Sequence, residues 1–314
     1  MRNSKAIVIT AVLGLLFLSV GVLAADEKYE EKFNKTETIA LDGKVMISNI
    51  SGNVMVKTWD KGEVEIDAVK TSRASSLEKA KENAQQVAIE VTNADNTVRI
   101  KVKYPEGRHH DDTNVSINFD LMIPTKAALD ANSVSGDVKV EKIGGALKAG
   151  TVSGNVTVMS AAKGVDANTV SGDVEVSDAT GDAYLKTVSG DIKAERVRGS
   201  ISAETVSGEV DLMNISDAKT VSGKALSGNV TYKGKLNKEG RYTFNAHSGN
   251  IDVTIPADSA FEFSGETFSG EISTDFKVEV SGKISKKELH GTVNGGGAIL
   301  KMVAFSGDVN LKKD

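Results

Sequence analysis

The chain has 314 residues, of which 39% are hydrophobic and 5% aromatic, and its formal net charge at pH 7 is −5. It contains no cysteine, which excludes disulfide bridges, Cys-ligated metals and a lipoprotein anchor. No basic block occurs, so nucleic acid is excluded as a predicted partner. So low an aromatic content favours thin stacked layers of Val, Ile and Ala over one large globular core.

The first 25 residues are predicted to be a secretory signal peptide. Arg2 and Lys5 form a basic start, an apolar stretch follows, and small residues stand where signal peptidase cuts. Cleavage at Ala24 or Ala25 would remove both basic residues, changing the net charge from −5 to −7, and would leave no membrane span. The alternative interpretation is an uncleaved anchor, because about 20 apolar residues span a bilayer.

Residues 26–129 are predicted to form a β-rich cap with one short helix. Alternating apolar residues over 36–69 indicate strands. Ser76–Gln86 combines an N-cap serine with helix formers and predicts the helix. Further strands, the first two paired as a hairpin, are predicted at Val87–Thr92, Val98–Tyr104 and Val115–Ile123.

Internal repetition dominates the remaining chain. A Val-Ser-Gly motif returns every 18 residues, beginning at Val134, Val152, Val170, Val188 and Val206. Each motif leads into alternating apolar and polar residues, which indicate a short strand with one buried face. Less regular glycine positions halfway between successive motifs predict two strands and two turns per coil. Residues 130–314 are therefore predicted to form a parallel β-solenoid with about 18 residues per coil, stacked at roughly 4.8 Å and looser after Gly208.

The residues after each motif valine are predicted structural turn positions. Glycine permits a positive φ or a close backbone approach, and a neighbouring Asp or Asn can bond to local backbone groups. The set is Ser135, Gly136, Asp137, Ser153, Gly154, Asn155, Ser171, Gly172, Asp173, Ser189, Gly190, Asp191, Ser207, Gly208 and Glu209.

Four threonines are a candidate binding face. Thr151, Thr169, Thr187 and Thr205 recur at the same 18-residue spacing. If they point outward, they form a flat row of hydroxyl groups that could contact a regular polymer. The alternative is a soluble face without a ligand.

No metal or cofactor is predicted. Calcium-binding β-rolls share the 18-residue coil, but one acidic or amide residue per coil falls short of the six to eight oxygens that calcium takes. The cluster at 109–112 (His-His-Asp-Asp) is predicted to be a solvated loop. Trp59, Tyr184, Tyr232 and Tyr242 could stack on sugars, but scattered aromatic residues favour core or cap packing.

No catalytic residue is predicted either. The motif serines recur identically in every coil, whereas a catalytic nucleophile would be singular and would need a neighbouring base. A polysaccharide-cleaving enzyme would need a carboxylate pair. The predicted outward residues alternate in charge without clustering: Lys139, Thr157, Glu175, Lys193 and Asp211.

The elements together resemble a bacterial family of β-strand-repeat proteins labelled "putative adhesin", a domain of unknown function. Its hallmarks are a signal peptide, a Trp-containing segment, a strand closing on Ile-Pro or Val-Pro, and repeated Ser-Gly-Asp-Val units. Beside the five motifs above, they stand here at Val56–Asp60, Met122–Pro124, Ile255–Pro256 and Phe305–Val309. The resemblance covers nearly the whole mature chain. It implies surface adhesion and brings no catalytic residues.

Three functions are consistent with the sequence. The first is an exported, non-enzymatic adhesin-like scaffold that contacts a surface polymer or protein, at the cell surface or in the periplasm. The second is a periplasmic structural or envelope-stress-linked component that binds another envelope protein. The third and least supported is a carbohydrate-active enzyme. The sequence predicts neither the partner nor the oligomeric state.

Overall fold

The computed structural model describes residues 26–105, 114–281 and 285–314. Within them the chain forms two open, mostly parallel sheets, of 13 strands (sheet A) and 14 strands (sheet B). The predictions of an all-β class, of a parallel solenoid and of one short helix are confirmed. The predicted signal peptide and the cluster at 109–112 lie outside the described residues.

The elements alternate between the two sheets along most of the chain. The first are β1 Glu27–Thr38, β2 Lys44–Ser48, β3 Val54–Trp59, β4 Glu63–Ala74, α1 Leu77–Gln86, β5 Ala88–Ala94, β6 Thr97–Lys103, β7 Val115–Pro124 and β8 Ala128–Asn132. The regular coils contain β9 Val138–Ile143, β10 Leu147–Gly150, β11 Val156–Ala161, β12 Val165–Asn168, β13 Val174–Ala179, β14 Ala183–Lys186, β15 Ile192–Glu195, β16 Ile201–Ser207 and β17 Val210–Ile215. The C-terminal part contains β18 Thr220–Ser227, β19 Val230–Gly234, β20 Arg241–Ser248, β21 Ile251–Ile255, β22 Phe261–Ser269, β23 Ile272–Thr274, β24 Glu279–Val280, β25 Glu288–Val293, β26 Ala298–Ser306 and β27 Val309–Lys313.

Successive coils stack in register, so in the regular coils each inward residue lies on its equivalent 18 residues away. Val156 pairs with Val138 on one side and with Val174 on the other, and all three are buried. Alternation along each strand places the next residue outside, as at half-buried Thr157. One continuous hydrophobic core of mostly Val, Ile, Leu and Ala runs along the stack.

The N-terminal part contributes a coil as well as a cap. β2 pairs in parallel with β8, and β3 pairs in parallel with β9, so residues 44–59 belong to the stack and not to the cap alone. Beyond this coil lie β6 and β7, which the chain reaches later. The β5–β6 hairpin is antiparallel, and α1 begins at Ser76, whose hydroxyl accepts a hydrogen bond from the Lys79 N–H.

The C-terminal part is also stacked out of chain order. The last strands, β26 and β27, lie between the β20–β21 coil and the β22–β23 coil. Ser222–Gly223, one of the later Ser-Gly pairs, lies inside β18 and not at a corner. The turns are longer here, and the core contains large buried rings, at Tyr232, Tyr242, Phe244 and Phe261.

Candidate functional site

One corner of every coil joins sheet B to sheet A and contains the predicted turn positions. There the serines pair in a ladder, from Ser51 through Ser135 to Ser207. The glycines that follow approach the previous coil so closely that a Cβ on Gly154, at φ +147°, would overlap the Gly136 carbonyl oxygen. Glycine is therefore required at this corner by both its φ and the contact.

The residue after each glycine ties its coil to the next. The Asp137 carboxylate accepts a hydrogen bond from the Asn155 N–H, and the Asn155 side chain accepts one from the Asp173 N–H, both at 2.8 Å. Asp173 and Asp191 continue the ladder with the same geometry. No cluster of three or more metal-binding side chains occurs in the described part of the chain.

The four threonines do not form an outward face, so the candidate binding face is a wrong prediction. Thr151, Thr169, Thr187 and Thr205 are all buried, with Thr187 exposing 0% of its surface. Each Oγ1 donates to the carbonyl oxygen of the corner glycine 15 residues earlier, as Thr187 does to Gly172 at 2.9 Å. The reason is the alternation along the strand: the threonine continues the inward positions of sheet B, and its hydroxyl donates to the carbonyl of a half-buried glycine.

The side chain that points outward at this corner is instead apolar. Ten residues, one per coil, stack along one line of the solenoid and are here called the apolar ridge. In stacking order they are Ile50, Val134, Val152, Val170, Val188, Val206, Leu226, His247, Phe305 and Phe268. Eight of them are large hydrophobic residues that expose 39–68% of their surface. Ten rungs at about 4.8 Å extend over about 43 Å.

The aromatic end of the ridge is a stack of three rings. Phe305 lies between His247 and Phe268, with ring centroids 4.6 Å and 4.9 Å away and interplanar angles of 13° and 5°. Both faces of the Phe305 ring are therefore covered, and its edge points outward. The Lys287 ammonium lies 5.9 Å from the Phe268 ring centroid.

Hollows lie beside the ridge on the sheet B side. One of about 490 Å³ is lined by Val170, Val188 and exposed Tyr184. Another of about 440 Å³ is lined by Leu226 and Phe305 among others. The ridge thus forms one wall of these hollows, and the outward polar residues of sheet B form the floor.

The aromatic residues considered for sugar stacking divide by burial. Tyr232 and Tyr242 are fully buried, with ring centroids 5.8 Å apart, and burial raises the pKa of both phenols above the ordinary value. The Trp59 Nε1 donates to the Glu63 carbonyl at 2.8 Å, which fixes the ring at the cap. Tyr184 is exposed and lies beside the ridge.

The ridge was not predicted from the sequence, because only the threonines of this corner were considered as an outward face. The alternation of inward and outward residues along the strand could have revealed the ridge. Leu185 and Thr187 are two residues apart and both inward, so Val188 must face outward.

Comparisons with known proteins place these observations in a wider group. A sequence model described as Toastrack DUF4097 matches residues 43–312. Among solved structures, a protein of Bacteroides fragilis described as a "putative adhesin" is 11% identical, with a TM-score of 0.41, over 90% of this chain and 97% of that one. A protein of Parabacteroides distasonis described as a "putative lipid binding protein" is 11% identical, with a TM-score of 0.39, over 89% and 96% of the two chains. No curated protein matches the sequence.

Proposed function

Since the chain belongs to the Toastrack DUF4097 family, a family of unknown function, we propose that it is an exported, non-enzymatic scaffold of the cell envelope that binds a protein along the apolar ridge. Export is supported by the signal-peptide pattern of the first 25 residues. In the described part of the chain, no helix is both long and apolar enough to cross a bilayer.

The apolar ridge is the observation that carries this proposal. Soluble monomers rarely expose continuous apolar surface beyond a few hundred Å², and larger patches mark contact sites. The ridge is continuous over its ten rungs, and a column of serines borders it on one side. A protein surface with an apolar strip of similar length fits it, because apolar contact is gained without leaving charges unpaired.

A polysaccharide fits the corner less well. The hydroxyl row that could have met a regular polymer is buried against glycine carbonyls. Sugars stack on the faces of aromatic rings, whereas both faces of Phe305 are covered by neighbouring rings. Adhesion to a protein surface remains within the proposal.

The location is tested by treating intact cells with a protease that cannot cross the envelope. Lysed cells are digested in parallel, and a periplasmic protein reports leakage. Loss from intact cells would mean surface display, and protection until lysis would place the protein in the periplasm. Recovery from the cytoplasm with residues 1–25 still attached would overturn the envelope function.

The ridge is tested with a photo-crosslinking amino acid at Val170 and, as a matched control, at Met159. Both residues are 44% exposed, but Met159 lies on the outer face of sheet A. We expect protein adducts in cells from position 170 and not from position 159. Equal adducts from the two positions, or none from position 170, would contradict the proposed contact surface.

A further inference from the structure

We propose that the apolar ridge pairs with the ridge of a second copy of this chain, antiparallel and around a two-fold axis. The inference rests on the proposed function, because it names the partner of the same surface. The axis passes between Val188 and Val206, the two middle rungs. A C2 contact of this kind uses the same patch on both copies, so the patch must be complementary to itself.

Side-chain size along the ridge provides that complementarity. The first four rungs, from Ile50 to Val170, are one isoleucine and three valines, and the last four, from Leu226 to Phe268, are one leucine and three residues with aromatic rings. In an antiparallel pair every residue of the last four faces a β-branched one, as Phe305 faces Val134, while Val188 faces Val206. The two solenoids then stay equally spaced along the contact. A parallel pair would set large against large and leave a gap along the valines, which close packing disfavours.

The spacing of the rungs also matches a surface built from stacked strands, as a second copy is. Each rung repeats at the strand separation of about 4.8 Å, since the coils are hydrogen-bonded side by side. A second copy has that same period, so its side chains can settle between the rungs along the full length. An extended peptide repeats its side chains at about 6.6 Å on one face and loses register within a few residues.

Charges beside the middle rungs favour the same arrangement. Lys186 and Glu204 lie two residues before Val188 and Val206, on adjacent strands, and expose 62% and 51% of their side chains. Their charged atoms are 3.7 Å apart within one copy. The two-fold axis sets Lys186 of each copy against Glu204 of the other, with no like charges opposed in this column at the centre. On the other flank the serine column carries no charge, and Asp191 is set back three residues beyond Val188.

The area is sufficient for a stable contact. Complete covering of the exposed ridge would bury roughly 600–700 Å² of accessible surface per copy. A standard interface buries about 800 Å² per partner, so the two areas are close.

The ends of the stack are less suited to association than its side. At the N-terminal end, edge strands β1 and β5 are linked by the Asn93 side chain, which donates to the Thr38 carbonyl at 2.8 Å. β1 also carries several exposed Lys and Glu residues, which oppose pairing with another strand. At the other end, β24 and β25 fold back antiparallel. These features oppose association through the strand edges named here, whereas the ridge offers a lateral contact.

Sedimentation of the purified mature chain over a range of concentrations tests the pairing. We expect a monomer–dimer equilibrium in which Val188→Asp raises the dissociation constant at least about 30-fold, as for a central interface residue. Met159→Asp, at a residue that is 44% exposed on sheet A, should leave it unchanged. Because Val188 is 39% exposed in one copy, the variant should keep the wild-type circular dichroism and melting. A folded wild-type protein that stays monomeric throughout would overturn the inference.

Single cysteines test the orientation, and the absence of native cysteine makes them specific. With a short bismaleimide, Val188→Cys should cross-link to itself because it lies near the axis. Val134→Cys should not, since its equivalents would be about 34 Å apart along the ridge, but it should cross-link when mixed with Phe305→Cys. Self-linking of Val134→Cys as efficient as that of Val188→Cys would show a parallel pair and refute the antiparallel geometry.

The two proposals can fail separately. A purified chain that is monomeric, together with adducts in cells from position 170 that contain only other proteins, would refute self-pairing and leave the ridge as a protein-contact surface. A chain that cross-links at Val188→Cys but stays in the cytoplasm would refute the envelope function and leave the pairing intact.

Discussion

The buried threonine row predicts a specific loss of stability when one hydroxyl is removed. Thr187→Val keeps the branched shape and the inward position but removes the donor to the Gly172 carbonyl, 2.9 Å from Oγ1. Thr187 exposes none of its surface, so water cannot replace the hydroxyl without moving the corner. A buried acceptor left without its partner costs about 1–3 kcal/mol. We therefore expect the free energy of unfolding to fall by about that amount.

Two further variants separate the hydrogen bond from the change in shape. Thr157→Val makes the same chemical change on the half-buried outer face of sheet A, and it should alter stability by less than about 0.5 kcal/mol. Thr187→Ser keeps the hydroxyl and removes a methyl group, so its loss should be about 1 kcal/mol and arise from packing.

Urea denaturation monitored by circular dichroism gives the comparison, provided that the slope against urea is the same in all variants. Thr187→Val would contradict this expectation if it were as stable as the wild type, or if its free energy of unfolding fell no more than that of Thr157→Val. Either result would mean that the threonine hydroxyl contributes nothing to joining successive coils.

Three more perturbations follow from the core and its ends. Val174→Asp should lower the free energy of unfolding by more than about 3 kcal/mol, because the charge would be buried without a partner. Thr157→Asp should change it little, and equal melting temperatures of the two variants would contradict the assignment of inside and outside. Deleting residues 298–314 should abolish the cooperative melt of the C-terminal half, since β26 and β27 lie inside the stack; a variant that only loses signal in proportion to its length would refute this. Burial raises the pKa of Tyr232 and Tyr242, so the stability they contribute is complete below about pH 10 and is lost as the pH rises above it. This prediction would be contradicted if, in the folded protein, tyrosinate absorbance rose at the ordinary pKa for all tyrosines.

The regular part of the fold could be predicted from the sequence because two periods agree there. The 18-residue spacing of Val134, Val152 and Val170 defines the coil, and the alternation around Val156 defines its inner face. The helix could be predicted as well, since Ser76 and the helix formers after it depend only on local preferences.

The order of the coils at both ends could not be predicted in the same way. The motif at Phe305–Val309 indicates a coil, but nothing local tells which neighbours it takes. That choice depends on β24 and β25, which pair antiparallel, before β26 takes its place between two earlier coils. Pairings of this kind are fixed by long-range packing and not by a periodic pattern.

The orientation of the corner could have been predicted from the alternation along the strand, but the polarity of threonine suggested an outward position. Thr187 is polar and was considered for an outward face, whereas no position was predicted for the valine beside it. The alternation along the strand places the threonine inward, where its hydroxyl donates to the carbonyl of half-buried Gly172, and it leaves Val188 outside. A hydrogen-bonding requirement thus determines which residue of the pair is buried.

The same corner explains why the ridge points to function and not to folding. The core is already closed by Thr187 and by its equivalents in the other coils, and the ridge side chains add nothing to the inner face. A polar residue could stand at every rung without disturbing a buried contact, as His247 shows in one coil. The fold therefore does not require nine apolar residues in line on its surface, and it bears the cost of exposing them to water. A surface that is apolar without need of the fold is explained by contact with another surface, and the graded size of its rungs indicates which one.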